Sequence, residues 1–261
     1  MTRRHRHMRA GVVGALALAA TLAAAGSSPA SADPASTSST TATASGPATS
    51  GGPASAPLCT PAVFSSARSL VQTELANRVT QLNMLAGRVN GAAHLTASDR
   101  STLLADVTQT ELPGIEALQT KVSGDTTCIE LLHDARTMVL GYRVYLLMTP
   151  QTDLVILNDA LTHAEGVVNG LETRISAGIA NAQRLGRDVS GAQSAFADYQ
   201  TQVSTAQGLT SSQSSTLLAL TPQGYPGSAA ALVQARANLS NARDDLHAAR
   251  ADLSQIIQDL T

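Results

Sequence analysis

Glu130-Leu131-Leu132-His133 is the first stretch in which residue types and spacing could do chemistry. A Glu-x-x-His on a helix is the unit with which di-iron four-helix proteins hold metal, used twice and completed by glutamates from neighbouring helices. Asp244-Asp245-Leu246-His247 offers a loose second copy. Helical periodicity turns both away from any shared interior. Cys128, Leu131, Leu132, Ala135, Val139 and Tyr142 define the predicted buried face of the first helix, which puts Glu130 and His133 on the opposite side. In the second, Leu246 and Ala249 take the seam positions, so Asp244 and His247 face outward. The expectation is two solvated helix faces, with no metal and no cofactor.

Arg143 is the remaining single residue of interest. It is embedded in Tyr142-Arg143-Val144-Tyr145-Leu146-Leu147-Met148, the most apolar stretch beyond the N-terminal region. An arginine there could hold an anionic ligand between helices. It could equally lay its stem along the bundle and reach an acid or water, which is the commoner use. Familiar catalytic signatures are missing from the sequence: it has no Gly-x-Ser-x-Gly, His-Glu-x-x-His, phosphate loop or dinucleotide fingerprint. A Ser/His/Asp triad assembled from distant residues needs no local motif, and His94, His133, His163 and His247 are not distinguished from one another by the sequence.

The elements that would position these residues begin after an export signal. Arg3, Arg4, Arg6 and Arg9 precede an uncharged apolar stretch from Ala10 to Ala25, and Ala30-Ser31-Ala32 stands directly before Asp33. A basic start, a moderate apolar run and small residues at −3 and −1 predict a secretory signal (1–32) cleaved between Ala32 and Asp33. The alternative, an uncleaved anchor, needs about 20 apolar residues to span a bilayer. Residues 33–58 are almost wholly Ser, Thr, Ala, Gly and Pro, a composition predicted to form a disordered tether. Loss of the four arginines with the signal would leave 13 basic against 19 acidic residues, a net charge of −6. No concentrated basic surface is in sight, so nucleic acid and anionic membranes are poor partners. With no Trp, four Tyr and two Phe, stacking platforms for bases are also disfavoured.

Helix signals fill 59–261. Thr60-Pro61, Thr96 to Asp99 and Thr127 to Glu130 read as helix starts with capping residues. Together with Thr149-Pro150, Ser190 to Gln193 and Ser228 they predict helices near 61–90, 97–122 (broken at 113), 127–148, 150–185, 190–207 and 228–260. A shorter helix near 214–220 is also suggested. Leu154, Leu161, Val168, Ile175 and Ala182 form one heptad row; Leu157, Ala164, Leu171, Gly178 and Leu185 form another. The phase continues through Val189, Phe196 and Val203, so either a turn at Gly186 or one long helix fits. The last helix repeats Leu232, Leu239, Leu246, Leu253 and Leu260, with Ala235, Ala242, Ala249 and Ile256 between them. The fold class expected is all-α: an elongated antiparallel bundle of about five to six helices with a coiled-coil-like hairpin.

Cys59 and Cys128 are the only cysteines. An even count in an exported chain reads as one disulfide, against two free thiols or a metal pair. In an up-down-up bundle, the first and third helices start at the same end, so this pairing agrees with the topology.

The runs Leu95-Thr96-Ala97-Ser98-Asp99-Arg100 with Leu103-Leu104, and Tyr142-Arg143-Val144-Tyr145-Leu146 through Thr149-Pro150-Gln151, resemble a group of uncharacterised exported helical-bundle proteins of actinobacteria. Gly186-Arg187-Asp188-Val189 and Leu220-Thr221-Pro222 are weaker echoes. The resemblance implies export and a helical bundle, and no activity. The leading expectation is therefore a non-catalytic, secreted protein with a structural or interaction role at the cell envelope or outside the cell, through self-association or an envelope protein. A binding module for an apolar or lipid-like ligand near Tyr142–Met148 is the second reading, and a secreted hydrolase with a non-local site the third.

Overall fold

The computed structural model describes residues 59–261, all helix and connecting turns with no strand. The predicted signal, its Ala32–Asp33 cleavage site and the tether lie outside the described residues. Local chemistry starts the early helices. Thr60 accepts a hydrogen bond from the Val63 N–H and Pro61 fills the first turn of α1 (Pro61–Gly91). Thr96 accepts from the Asp99 N–H at the start of α2 (Ala97–Ala105). A full capping box of Thr127 and Glu130 opens α4 (Cys128–Leu140).

Between α2 and α3 (Leu112–Gly124), the chain does not break at Pro113. A π-helical segment, Asp106–Glu111, widens the helix by one residue, and the Leu112 N–H donates to the Val107 carbonyl. The wider turn comes directly before Pro113, which lacks an N–H and falls in the first turn of α3. The predicted third helix is shorter than expected. It stops at Leu140, and Arg143 adopts a left-handed conformation (φ 45°) before a second π-helical segment, Val144–Met148. Thr149 is not a cap: its hydroxyl donates to the Val144 carbonyl and accepts from Gln81.

The predicted 150–185 helix is interrupted at Gly170–Leu171, giving α5 (Thr149–Asn169) and α6 (Glu172–Arg184). A turn through Gly186 at φ +73° separates α6 from α7 (Ser190–Thr210), which excludes one continuous helix. The start of α7 is held by Asp188, which accepts from both the N–H and the hydroxyl of Ser190, in place of the expected Ser190–Gln193 capping box. A short α8 (Gln213–Leu218) and a 3₁₀ turn at Pro222–Gly224 lead into α9 (Gly227–Leu260).

Three apolar clusters form the core. The first joins α1, both π-helical segments, α3 and α4 around Leu75, Leu82, Ile115 and Met138. A central cluster joins the end of α1 with α2, α5, α8 and α9 through Leu103, Leu161, Leu217 and Leu239. The third joins α6, α7 and α9 around Ile179, Tyr199, Ala249 and Ile256. Each fully buried leucine contributes about 1.5–3 kcal/mol of transfer free energy. Helices α7 and α9 run antiparallel: Arg187, just before α7, donates to the Leu260 carbonyl at the far end of α9. Ala235, Ala242 and Ala249 are buried along α9, where their small side chains let its partners approach closely. Cys59 and Cys128 are joined by a disulfide, with Cα atoms 6.3 Å apart, tying the start of α1 to the start of α4.

Candidate functional site

Glu130 and His133 are exposed on α4, and Asp244 and His247 are exposed on α9. The Glu130 carboxylate is already engaged, accepting from the N–H groups of Thr126 and Thr127 at 3.0 Å each, and these bonds hold its pKa below the ordinary carboxylate value. Among the described residues, no three His, Cys, Asp or Glu side chains gather so as to hold a metal ion. Arg143 serves a joint. Its Nε donates to the Pro222 carbonyl at 3.1 Å, and its guanidinium lies 4.2 Å from the centre of the Tyr225 ring. It thereby ties the α4–α5 connection to the turn before α9, with a carbonyl and an aromatic ring as its partners in place of the expected acid or water.

Two buried polar groupings escaped the sequence pattern. Glu111 lies in the first π-helical segment and is almost wholly buried, with Oε2 lacking a hydrogen-bond partner. Burial, then the nearby Asp106 charge, pushes its pKa up to about 7. Tyr142 lies near this carboxylate, and its phenol is also pushed up, by burial first and Glu111 second. A second grouping lies between α5 and α8. Asp159 accepts from the Ser214 hydroxyl at 3.1 Å and from the Thr96 N–H at 2.7 Å, while Asn158 donates to the Ser214 oxygen at 2.9 Å. Ser214 thus donates its hydrogen bond directly to the acid, with no imidazole between them. This is the bonding of a joint between α2, α5 and α8. Near the C-terminus of α5, Glu165 accepts from Thr210 of α7 at 2.9 Å.

His94 and His163, which no local pattern pairs, stack on the surface with ring centroids 4.0 Å apart. One belongs to the α1–α2 loop and the other to α5, so no local spacing could have shown it.

The least expected feature is the outer face of α4. Of the predicted buried face, Leu131 is buried and Ala135 and Tyr142 pack against the core, but Leu132 and Val139 are exposed, and Asp134 and Met138 point inward. Asp134 is the cause. Its side chain is fully enclosed and accepts from Lys121 of α3 at 2.6 Å, so an acid takes an inward position that periodicity assigns to an apolar residue. The helix is rotated accordingly. Ile129 is left 82% exposed, Leu132 71%, Val139 43% and Leu140 42%. Beside the start of this stripe lies an open depression of about 460 Å³, lined by the Cys59–Cys128 disulfide, Pro61, Phe64 and Ile129. Nine of the twelve exposed large apolar side chains among the described residues belong to 59–148, the other three being Val167, Leu185 and Val233.

Among the described residues, no helix is long and apolar enough to cross a membrane. Comparison with protein families, curated proteins and solved structures gives no match to this chain.

Proposed function

We propose that the chain is exported, loses its signal between Ala32 and Asp33, and works as a non-catalytic interaction protein at the cell envelope or outside the cell. The observation that carries this reading is the apolar stripe of α4, with Ile129 and Leu132 mostly in solvent. Leaving such side chains in water forgoes about 1.5–3 kcal/mol each, a cost that binding another surface would recover. The surface disulfide supports an oxidising compartment. The basic N-terminus followed by an apolar run and Ala-Ser-Ala supports export, and the resemblance to exported helical proteins of actinobacteria agrees with it.

The test is retention of envelope components by the immobilised mature chain, compared with its Leu132→Glu variant, alongside light scattering of both. Leu132 is exposed, so the variant should fold as the wild type does. The expectation is a partner or an oligomer lost in Leu132→Glu. A strict monomer that retains nothing, or a variant that retains the same components, would remove the basis for this reading.

A further inference from the structure

The residues at the centre of the α4 face specify more than apolar adhesion. Ile129, Leu132, Arg136 and Leu140 follow one another at spacings of three or four and so share one side of the helix. They span three turns, about 16 Å. Arg136 stands in the middle, with a leucine one turn to either side, and is exposed.

The other arginines of 59–148 are all engaged. Arg68 donates to the Asp125 carbonyl, Arg78 pairs with Glu74, and Arg88 pairs with Asp153. Arg100 binds three carbonyls at the end of α1, and Arg143 binds Pro222. Arg136 alone among the arginines of 59–148 has no hydrogen bond or ion pair within the described residues. The acid nearest in sequence on the solvent side, Glu130, has its Oε2 bonded in the helix cap, and Asp134 is enclosed with Lys121.

An apolar partner laid over this stripe would strip water from a guanidinium and leave it unpaired, which costs more than the covered leucines return. A second copy facing it across a two-fold axis beside Arg136 would set the guanidinium against its own equivalent, like charge against like. What fits is a surface that offers apolar side chains at helical spacing with a carboxylate between them.

We infer that the outer face of α4 docks an acidic amphipathic helix of a partner protein, with Arg136 meeting an Asp or Glu between two apolar anchors. This rests on the interaction role proposed above and adds the chemistry of the partner.

Two stapled helical peptides test it, identical except for Glu or Lys at the position between leucines on one face. Their binding to the mature chain is read by fluorescence anisotropy. Wild type should bind the Glu peptide about tenfold more tightly than the Lys peptide. Arg136→Glu should reverse that order, and Leu132→Glu should weaken both. Both sites are exposed, and circular dichroism melts would verify that each variant is folded. Equal binding of the two peptides, or no reversal in Arg136→Glu, overturns the acidic partner while the apolar interaction face stands. A wild-type dimer dispersed by Leu132→Glu assigns the face to a second copy and overturns the inference as well. If neither peptide binds and Leu132→Glu leaves envelope retention and assembly unchanged, both the inference and the interaction role fall.

Discussion

Glu111 gives the bundle a pH dependence that can be assigned to one side chain. Burial and the Asp106 charge raise its carboxyl from an ordinary value of 4.5 to about 7. Between those two values the folded chain binds more protons at this site than the unfolded chain does, so stability falls as pH rises through the window. The contribution is fully present below about 4.5 and gone above about 7. Glu111→Gln cannot ionise and should remove this slope, so the melting temperature of wild type relative to the variant should decline from pH 5 to pH 8. Parallel profiles would show that Glu111 titrates normally. Nothing in the sequence announced this residue, because a glutamate in a helix is most often solvated; only the extra residue of the π-helical segment turns it inward. Asp134 is the same lesson in another position. Leu131 and Leu132 cannot both face the core, and periodicity by itself has no means of knowing that Lys121 would draw Asp134 inside. Periodicity therefore assigns Leu132 and Val139 to the core, where the structure leaves both exposed.

Elements were legible where their signals are local. Thr60, Thr96 and Thr127 cap helices with hydrogen bonds to residues three positions ahead, so a short stretch of sequence contains the whole cause. Departures from simple helices depend on distant partners and were not legible. The π-helical segment before Pro113 exists in a setting where Gly114 lets the Tyr142 ring come close; a Cβ on Gly114 would lie 2.5 Å from the ring. Gly114→Ala should therefore push Tyr142 aside and cost about 1–3 kcal/mol, despite the higher helix propensity of alanine. Tyr142→Leu shortens the obstructing side chain, so adding Gly114→Ala to it should cost much less than in wild type. A double-mutant cycle by urea unfolding reads the coupling. Additive effects would mean that the ring and the glycine do not constrain each other. Gly170–Leu171 is a further departure: the heptad rows run through it in phase, and the break between α5 and α6 is invisible to a pattern that counts only apolar positions.

At the scale of the whole chain, long helices link the cores. α1 contributes to the first cluster and, through Val89, to the central one; α9 contributes to the central and third clusters. Loss of any cluster therefore strips packing from a helix that another cluster needs, which favours one cooperative transition for 59–261. Two distant perturbations test this. The disulfide links residues 69 apart, and replacing it with Cys59→Ser/Cys128→Ser should remove about 4 kcal/mol on the chain-entropy account. Ala242→Leu forces a larger side chain into a fully buried seam position of α9 and should cost about 1–3 kcal/mol. If the clusters are coupled, both changes lower the same single urea midpoint, and the Tyr225 and Tyr199 environments are lost together with far-UV ellipticity. Should serine replacement instead produce an early transition confined to the first bundle, the α1 link through Val89 would be too weak to couple the cores. The exposed apolar face of α4 would then sit on a unit able to fold and unfold separately from α6–α9.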